Sequence, residues 1–395
     1  GLVGSEMCIR DSALFSALVL LAAGAESLRF VDLTGRELPG AAVALLVFGF
    51  GVKLALPGLH FWLPLAYPAA PAAAAAVLSG PMINAGLLGW LRFLPPGAPG
   101  LQNWGEPLML LGAAGVTLGV LAGIAQRDPR AVLGYSSIAK MGLVSLLFGS
   151  ALGHPAAAAG IASALVLFAV HHSLVKAALF LGLGEWARLG GKAWLLGAVG
   201  ALALSLAGAP FTGGAAAKSE LSGALTIAGL DLGLGLFLAA TGTVLLMARL
   251  LWLLVRGPAT EARPGAASLA WLALALPALW LPYGSAALSF SGAALLPLVL
   301  GLVLAVLAWG VSRKRPPRRW DVPPGDFLCL LPRWRPKPFP DLAPGHSGHG
   351  RLAKLRRSTL ATPRELSPVL AGLVWLGLFV LLLGALLLPL SLIHI

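Results

Sequence analysis

Charged residues are scarce in this chain: Asp, Glu, Lys and Arg make up 11% of its 395 residues. An ordinary soluble domain carries about 25%, so a water-soluble enzyme is excluded. Cysteine is rarer still, with only Cys8 and Cys329. Two thiols build neither a disulfide framework nor an iron–sulfur centre, which takes about four. No haem motif, phosphate-binding glycine loop or nucleophile elbow is present. Any electrons in its chemistry therefore travel in a partner, and the chain itself is expected to hold no cofactor.

What remains is apolar. Hydrophobic residues make up 58% of the chain, and the mean hydropathy is +0.88. Stretches of roughly 20 apolar residues, each long enough for a ~30 Å hydrocarbon core, recur along most of it. The expected fold is all-α, a polytopic transmembrane bundle with spans at 13–28, 40–64, 69–94, 106–125, 130–151, 156–184, 193–229, 232–255, 267–282, 286–311 and 368–390. Fifty glycines and 30 prolines, many inside these spans, point to close packing and local breaks. Two spans carry a break: GVKLALPGLHFWLP at 51–64 and LAGAPFTGGAAAK within 193–229. Proline removes a helix donor and clashes with the preceding turn. Backbone freed at membrane depth is tolerated only beside protein or water.

Charge placement tests the second break. With 193–229 crossing once, the loops bearing Arg127 and Arg130, Arg188 and Lys192, Arg256 and Arg263, and the segment 312–367 share one side. The loops near 97–105, 153–155, 231 and 283–285 share the other and hold no Lys or Arg. Most of the net charge of +13 sits in 312–367, whose thirteen basic and four acidic residues supply +9 of it. Such a loop marks the cytoplasmic side and suits anionic lipid; nucleic acid is not an expected partner. The ends, GLVGSEMCIRDS and SLIHI, resemble translated sequencing-adapter read-through. Segments 1–12 and 391–395 are therefore expected to be non-native, and the natural protein to continue in both directions.

Ionisable groups deep in a membrane cost about 2.5–3.5 kcal/mol each on insertion scales. Lys53, Lys140, Lys176 and Lys218 fall well inside spans, as do His171 and His172. Facing lipid, the four lysines would cost on the order of 10 kcal/mol, so a hydrated interior is expected. An amine held from water, beside like charge, exchanges its proton more readily than one in bulk; that is what a proton relay needs. Plainer readings stand beside it. Lys53 and Lys140 could snorkel to an interface, Glu220 could neutralise Lys218, His171 and His172 could be core histidines, and His60 could cap the first break. Adjacent histidines point about 100° apart on a helix, unlike the i, i+4 pair of a zinc site, so no metal is expected. His154, His346 and His349 are read as solvated.

Four segments, in order, resemble one family. GVKLALPGLHFWLPLAYPAAPAAAAAVLSGPMINAGLLGWLR (51–92), QRDPRAVLGYSSIAKMG (126–142), HHSLVKAALFLGLG (171–184) and LAGAPFTGGAAAKSEL (206–221) are similar to motifs of antiporter-like subunits. Such subunits occur in respiratory complex I, membrane-bound hydrogenases and Mrp sodium/proton antiporters. The resemblance implies an inverted-repeat antiporter-like fold with the first repeat truncated. It implies a division into 13–94 (end of the first repeat), 101–260 (second repeat), 261–311 (additional helices), 312–367 (basic loop) and 368–390 (final helix). It implies a proton relay in which Lys53 serves the first half-channel, His172 and Lys176 connect, and Lys218 serves the second. His60, Asn84 and His171 take accessory places. The glutamate that partners the first lysine in the family is expected on a helix upstream of this chain.

Three departures stand out. Asn84 in MINAG replaces the usual lysine, leaving a gap in the relay. Lys140 stands where glutamine or histidine is expected and offers another station. Gly214 replaces an aromatic, an exchange expected to loosen the second break. The implied function is a proton-translocating inner-membrane subunit of a redox-driven complex, with redox-arm and other membrane subunits as partners. The SGPMINAG wording of the first motif and the basic loop with VPPGDF lean towards hydrogenase-4-like or related subunits. The alternative is an Mrp-type sodium/proton antiporter subunit without electron transfer. A membrane transferase using His60 or His172 as base would need a catalytic carboxylate, and the sequence shows no site for one.

Overall fold

The computed structural model describes residues 2–314 apart from 24, 26, 28, 30–36, 228, 258–266 and 281–291. The basic loop beyond Lys314, the expected span 368–390 and the tail 391–395 lie outside the described residues, as do Cys329, His346 and His349. Described residues form helices α1 (Leu2–Ala22), α2 (Gly40–Lys53), α3 (Trp62–Ala69), α4 (Ala72–Phe93), α5 (Gly105–Ala125), α6 (Pro129–Gly153), α7 (Ala158–Leu189), α8 (Ala193–Ala207), α9 (Gly213–Ile227), α10 (Gly233–Arg256), α11 (Ala267–Trp280) and α12 (Gly292–Lys314). No strand occurs among them. Among the described residues five helical stretches are long and apolar enough to cross a membrane: Ala72–Phe93, Gln102–Ala125, Pro129–Gly153, Pro155–Leu189 and Gly233–Arg256. The protein is an all-helical, multi-pass membrane bundle. Residues 2–12 are drawn into the same helix as the start of the expected first span.

Helix α6 forms the axis of the bundle. Every residue from Ala131 to Leu152 is buried, as expected of a helix enclosed by others on all sides. Glycine lets its neighbour approach. Gly105, Gly112 and Gly119 recur every seven residues along α5; the first two meet Gly149 and Gly142 of α6, and Gly119 meets the backbone of Tyr135 and Ala139. A Cβ at Gly112 would stand 2.4 Å from Leu146 N, and one at Gly142 would stand 2.6 Å from Val116 N. The seven-residue spacing keeps these positions on one seam, where backbone packs on backbone. Outward positions, such as Leu110 and Leu121 of α5 and Leu234 and Leu238 of α10, are exposed apolar side chains suited to lipid.

The QRDPR motif holds this axis in place. Asp128 caps α6 by accepting from Arg130 N at 2.7 Å, and Pro129 occupies the first turn, where its missing donor costs nothing. Arg130 Nη1 donates to Pro68 O and Ala70 O at the end of α3. Arg249 of α10 donates twice to Gln126 O, at 3.0 and 2.8 Å. One short motif thereby ties α3, α5, α6 and α10 together.

Both expected breaks are present, and both close in the same way. At the first, Ala55 N donates to Val52 O and Leu56 N to Gly51 O. At the second, Gly208 N donates to Ser205 O and Ala209 N to Leu204 O. Each pair is a Schellman closure, which needs a left-handed residue just past the helix. Gly208 supplies it at φ 79°, but at the first break an alanine does, Ala55 at φ 52°. A side chain there costs roughly 1–2 kcal/mol. Trp62 Nε1 reaches back to Val52 O at 2.9 Å and staples the first break.

A third irregularity lies in α4, where Leu78–Met82 form a π-turn around Pro81. Proline leaves an upstream carbonyl without its usual donor. The Ser79 hydroxyl donates to Ala76 O and the Asn84 amide to Gly80 O, so side chains serve this stretch.

Candidate functional site

The second break opens a cavity inside the bundle. It is lined by Lys140 from α6, Phe168, His171 and His172 from α7, Gly208 at the break, and Lys218 from α9, with apolar residues of α8 and α10 completing the wall. Its volume is about 40 Å³, and a buried water needs about 10–15 Å³ measured in this way. The cavity therefore has room for about three waters beside two amines and two imidazoles. No carboxylate lines it.

Each polar side chain is held by a local feature. Lys218 stands in the second turn of α9, whose start is capped by Thr212 through Ala215 N. Its Cδ approaches Gly208, so the left-handed turn sits against the lysine stem. The Glu220 alternative is not realised: Glu220 is exposed, and Lys218 has no carboxylate partner among the described residues. Lys140 does not snorkel. It is buried in mid-helix, with Nζ 5.6 Å from the centre of the Phe168 ring. Phe168 in turn lies nearly parallel to the His172 ring, with centres 6.2 Å apart. Lys140 lies within reach of the like charge of Lys218 and itself acts electrostatically on Lys176, His171 and His172.

The two histidines have different partners. His171 Nε2 lies 3.0 Å from Ser205 Oγ, in the last turn before the second break. His172 Nδ1 lies 3.2 Å from Asn84 Nδ2, across the interface with α4. Neither bond goes to a backbone carbonyl, the partner expected of an ordinary core histidine. Lys176, one turn beyond His172, lies outside the cavity lining and donates to Leu133 O of α6 at 2.8 Å.

The first break lies apart. Lys53 is half-buried at the end of α2, where Arg10 and Asp11 of α1 act on it electrostatically. Its Cβ lies 3.2 Å from where a Cβ on Gly86 of α4 would stand. Gly86 and Asn84 are two residues apart and project about 200° from one another. Helix α4 thus stands between Lys53 and His172. His60 is buried in the first break, its ring against Phe61.

The expected loosening at Gly214 does not occur. A Cβ there would come within 1.7 Å of Ser205 O and 3.1 Å of His171 Cε1. Glycine at this point lets α9 press onto α8 beside the cavity, whose wall it joins. Sequence reasoning also passed over Phe168, Ser173 and Ser205. The available signal was position: each stands within one helical turn of a residue already singled out or of the break.

Known proteins place this architecture. The family model described as NADH:quinone oxidoreductase/Mrp antiporter, TM, matches residues 9–245. Hydrogenase-4 component B of Escherichia coli (strain K12) is 36% identical over 183 residues, covering 42% of this chain and 27% of that protein. NADH-quinone oxidoreductase subunit N 2 of Roseiflexus castenholzii is 33% identical over 195 residues, covering 44% and 38%. The matched stretch thus spans well under half the length of either relative. Among solved structures, the Mrp complex from Dietzia sp. DQ12-45-1b aligns with TM-score 0.51 at 20% identity, over 78% of this chain and 64% of that one. Respiratory complex I from Thermus thermophilus aligns with TM-score 0.51 at 24% identity, over 76% and 66%. At these identities the structural likeness is one of fold.

Proposed function

Because this chain belongs to the NADH:quinone oxidoreductase/Mrp antiporter transmembrane family, we propose that it is a proton-translocating membrane subunit of a redox-driven complex, of the complex I or membrane-bound hydrogenase kind. The observation that carries this reading is the shared cavity, in which Lys140, His171, His172 and Lys218 face one small space. Water there would join the amines and imidazoles by hydrogen bonds. Lys176 continues the line one turn on, and Lys53 serves the first break. Matching closures at the two breaks support a repeat-built subunit with one half-channel at each. The redox chemistry belongs to partner subunits, and this chain contributes no cofactor.

Coupling needs modest energy. Moving one charge through 100 mV takes about 2.3 kcal/mol, and one unit of change in a lysine's proton affinity supplies about 1.36 kcal/mol. A change of charge in a neighbouring subunit is enough to drive such a step. The cellular (inner) membrane is the proposed location, with the basic loop 312–367 on the cytoplasmic side, where it meets anionic lipid or a redox-arm subunit.

The second reading, an Mrp-type sodium/proton antiporter subunit, draws on the likeness to the Mrp complex. The lining disfavours it. Hard cations take oxygen ligands, and here a sodium ion would meet two amines and no carboxylate. The test is proton flux in vesicles containing the assembled complex. Lys176→Ala and Lys218→Ala should each abolish pumping while assembly persists, and normal flux in both rejects the relay. Flux that requires a sodium gradient selects the second reading.

A further inference from the structure

Three acceptors converge on one amide nitrogen. Asn84 Nδ2 lies 2.8 Å from Ser173 Oγ, 3.0 Å from Gly80 O and 3.2 Å from His172 Nδ1. An amide has two hydrogens, so one acceptor always goes short. The other half of the amide is idle, since Oδ1 is buried with no partner among the described residues. His172 Nε2 has none either, although the ring borders the cavity. Asn84 and His172 are thus each half satisfied, and they touch.

Turning the amide by 180° changes what it offers. With Nδ2 towards the ring, Nδ1 must accept, so a neutral His172 carries its proton on Nε2. With Oδ1 towards the ring, Nδ1–H donates, Ser173 donates as well, and the Nε2 lone pair is free for cavity water. The second orientation gives up the bond to Gly80 O and moves Nδ2 to the side where Oδ1 now has no partner among the described residues, so its donors turn to whatever water reaches them. Only this orientation suits the imidazolium, which donates from both nitrogens. A lysine ammonium in this position could only donate, and it would place a like charge beside the ring.

We propose that Asn84 is a positioning residue whose amide turns with His172, so that the imidazole can accept a cavity proton at Nε2 while Nδ1–H stays bonded to Oδ1. The proton comes from a water or ammonium in the cavity and returns there when the ring becomes neutral, so no other bond changes. This rests on the relay reading above. The place of the missing lysine is then filled by a neutral partner that fits every protonation state of the ring.

The test uses the full chain in its assembled complex, with ¹⁵N-labelled histidine and His172 assigned by its loss in His172→Gln. Nitrogen chemical shifts report which ring atom carries the proton. The wild type should populate both tautomers. Asn84→Asp, which only accepts, should move His172 to the Nδ1–H form. Asn84→Lys, which only donates, should hold the Nε2–H form and lower proton flux at least tenfold. Asn84→Gln, which keeps both a donor and an acceptor, should restore the mixture. An unchanged tautomer ratio in both Asn84→Asp and Asn84→Lys overturns the proposal, whatever the flux. Normal flux in His172→Gln beside a responsive ratio overturns the relay reading, and with it the proton-handling role of the pair.

Discussion

Lys176 donates to the backbone carbonyl of Leu133, 2.8 Å away across the interface between α7 and α6. That carbonyl has a second side-chain donor, since Ser137 Oγ also reaches it at 3.2 Å. Removing the amine therefore leaves no orphaned acceptor. A fully buried cation is costly to keep, and apolar replacement of buried charge is often neutral or stabilising. Lys176→Met should leave the thermal midpoint of the detergent-solubilised protein unchanged or raised, and should abolish proton flux. A large fall in stability would mean that the lysine serves packing rather than transport.

Gly214→Ala should be among the most damaging single-methyl additions in the chain. Its Cβ would overlap Ser205 O at 1.7 Å, and backbone cannot move aside as a side-chain tip can. Overpacking typically costs about 1–3 kcal/mol, and the displaced Ser205 would also release His171, its partner at 3.0 Å. Thermal unfolding should show the loss. Gly197→Ala on α8, where nothing stands within 4 Å of an added Cβ, is the control and should be neutral.

The helices within the described residues, both breaks and the burial of Lys140 and Lys176 were legible because membrane spans obey simple rules. Apolar length marks a span, and proline with glycine marks a break. The tertiary roles of particular residues were not legible. QRDPR read as a family signature, yet the structure uses it to cap α6 and to clamp α3 and α10. Gly214 read as a loosening because sequence gives no distance to Ser205 O. The grouping of Lys140 with Lys218 needed the crossing of α6, α7 and α9, a packing relation that no local pattern encodes.

The two breaks predict opposite responses to a methyl group. Ala55 stands left-handed at φ 52° and Gly208 at φ 79°. Ala55→Gly relieves strain of about 1–2 kcal/mol, offset in part by the roughly 0.5–1 kcal/mol entropy cost of glycine. It should be neutral to slightly stabilising. Gly208→Ala should destabilise by about 1 kcal/mol or more and press on the Lys218 stem, whose Cδ lies 3.6 Å from the added carbon. Paired thermal melts of the two variants check the contrast.

Gly142→Ala tests the seam between α5 and α6. The added carbon would face Val116 N at 2.6 Å and Gly112 O at 2.7 Å, both backbone atoms. Restoring normal contact means moving the helices apart by several tenths of an ångström along the whole seam. The same α6 carries Lys140 only two residues earlier, so the shift should reach the cavity. Lower thermal stability and reduced flux should appear together. A stable Gly142→Ala protein with normal flux would show that the close approach is not required.

Lys140 gives the sharpest separation of transport from stability. It has no hydrogen-bond or ion-pair partner among the described residues, and its amine stands over the Phe168 ring near the like charge of Lys218. Lys140→Met keeps the length of the stem and removes the charge. Stability should therefore hold or improve, as measured by the melting midpoint. Flux should fall at least about tenfold, the lower range of what a positioned acid or base contributes being larger still. Lys140→His restores a titratable group in the same cavity and should recover part of the flux, whereas Lys140→Gln orients water without holding a proton and should not. If Met, Gln and His behave alike, with flux intact in all three, the cavity conducts without Lys140 and the line of protons runs between His172 and Lys218 directly.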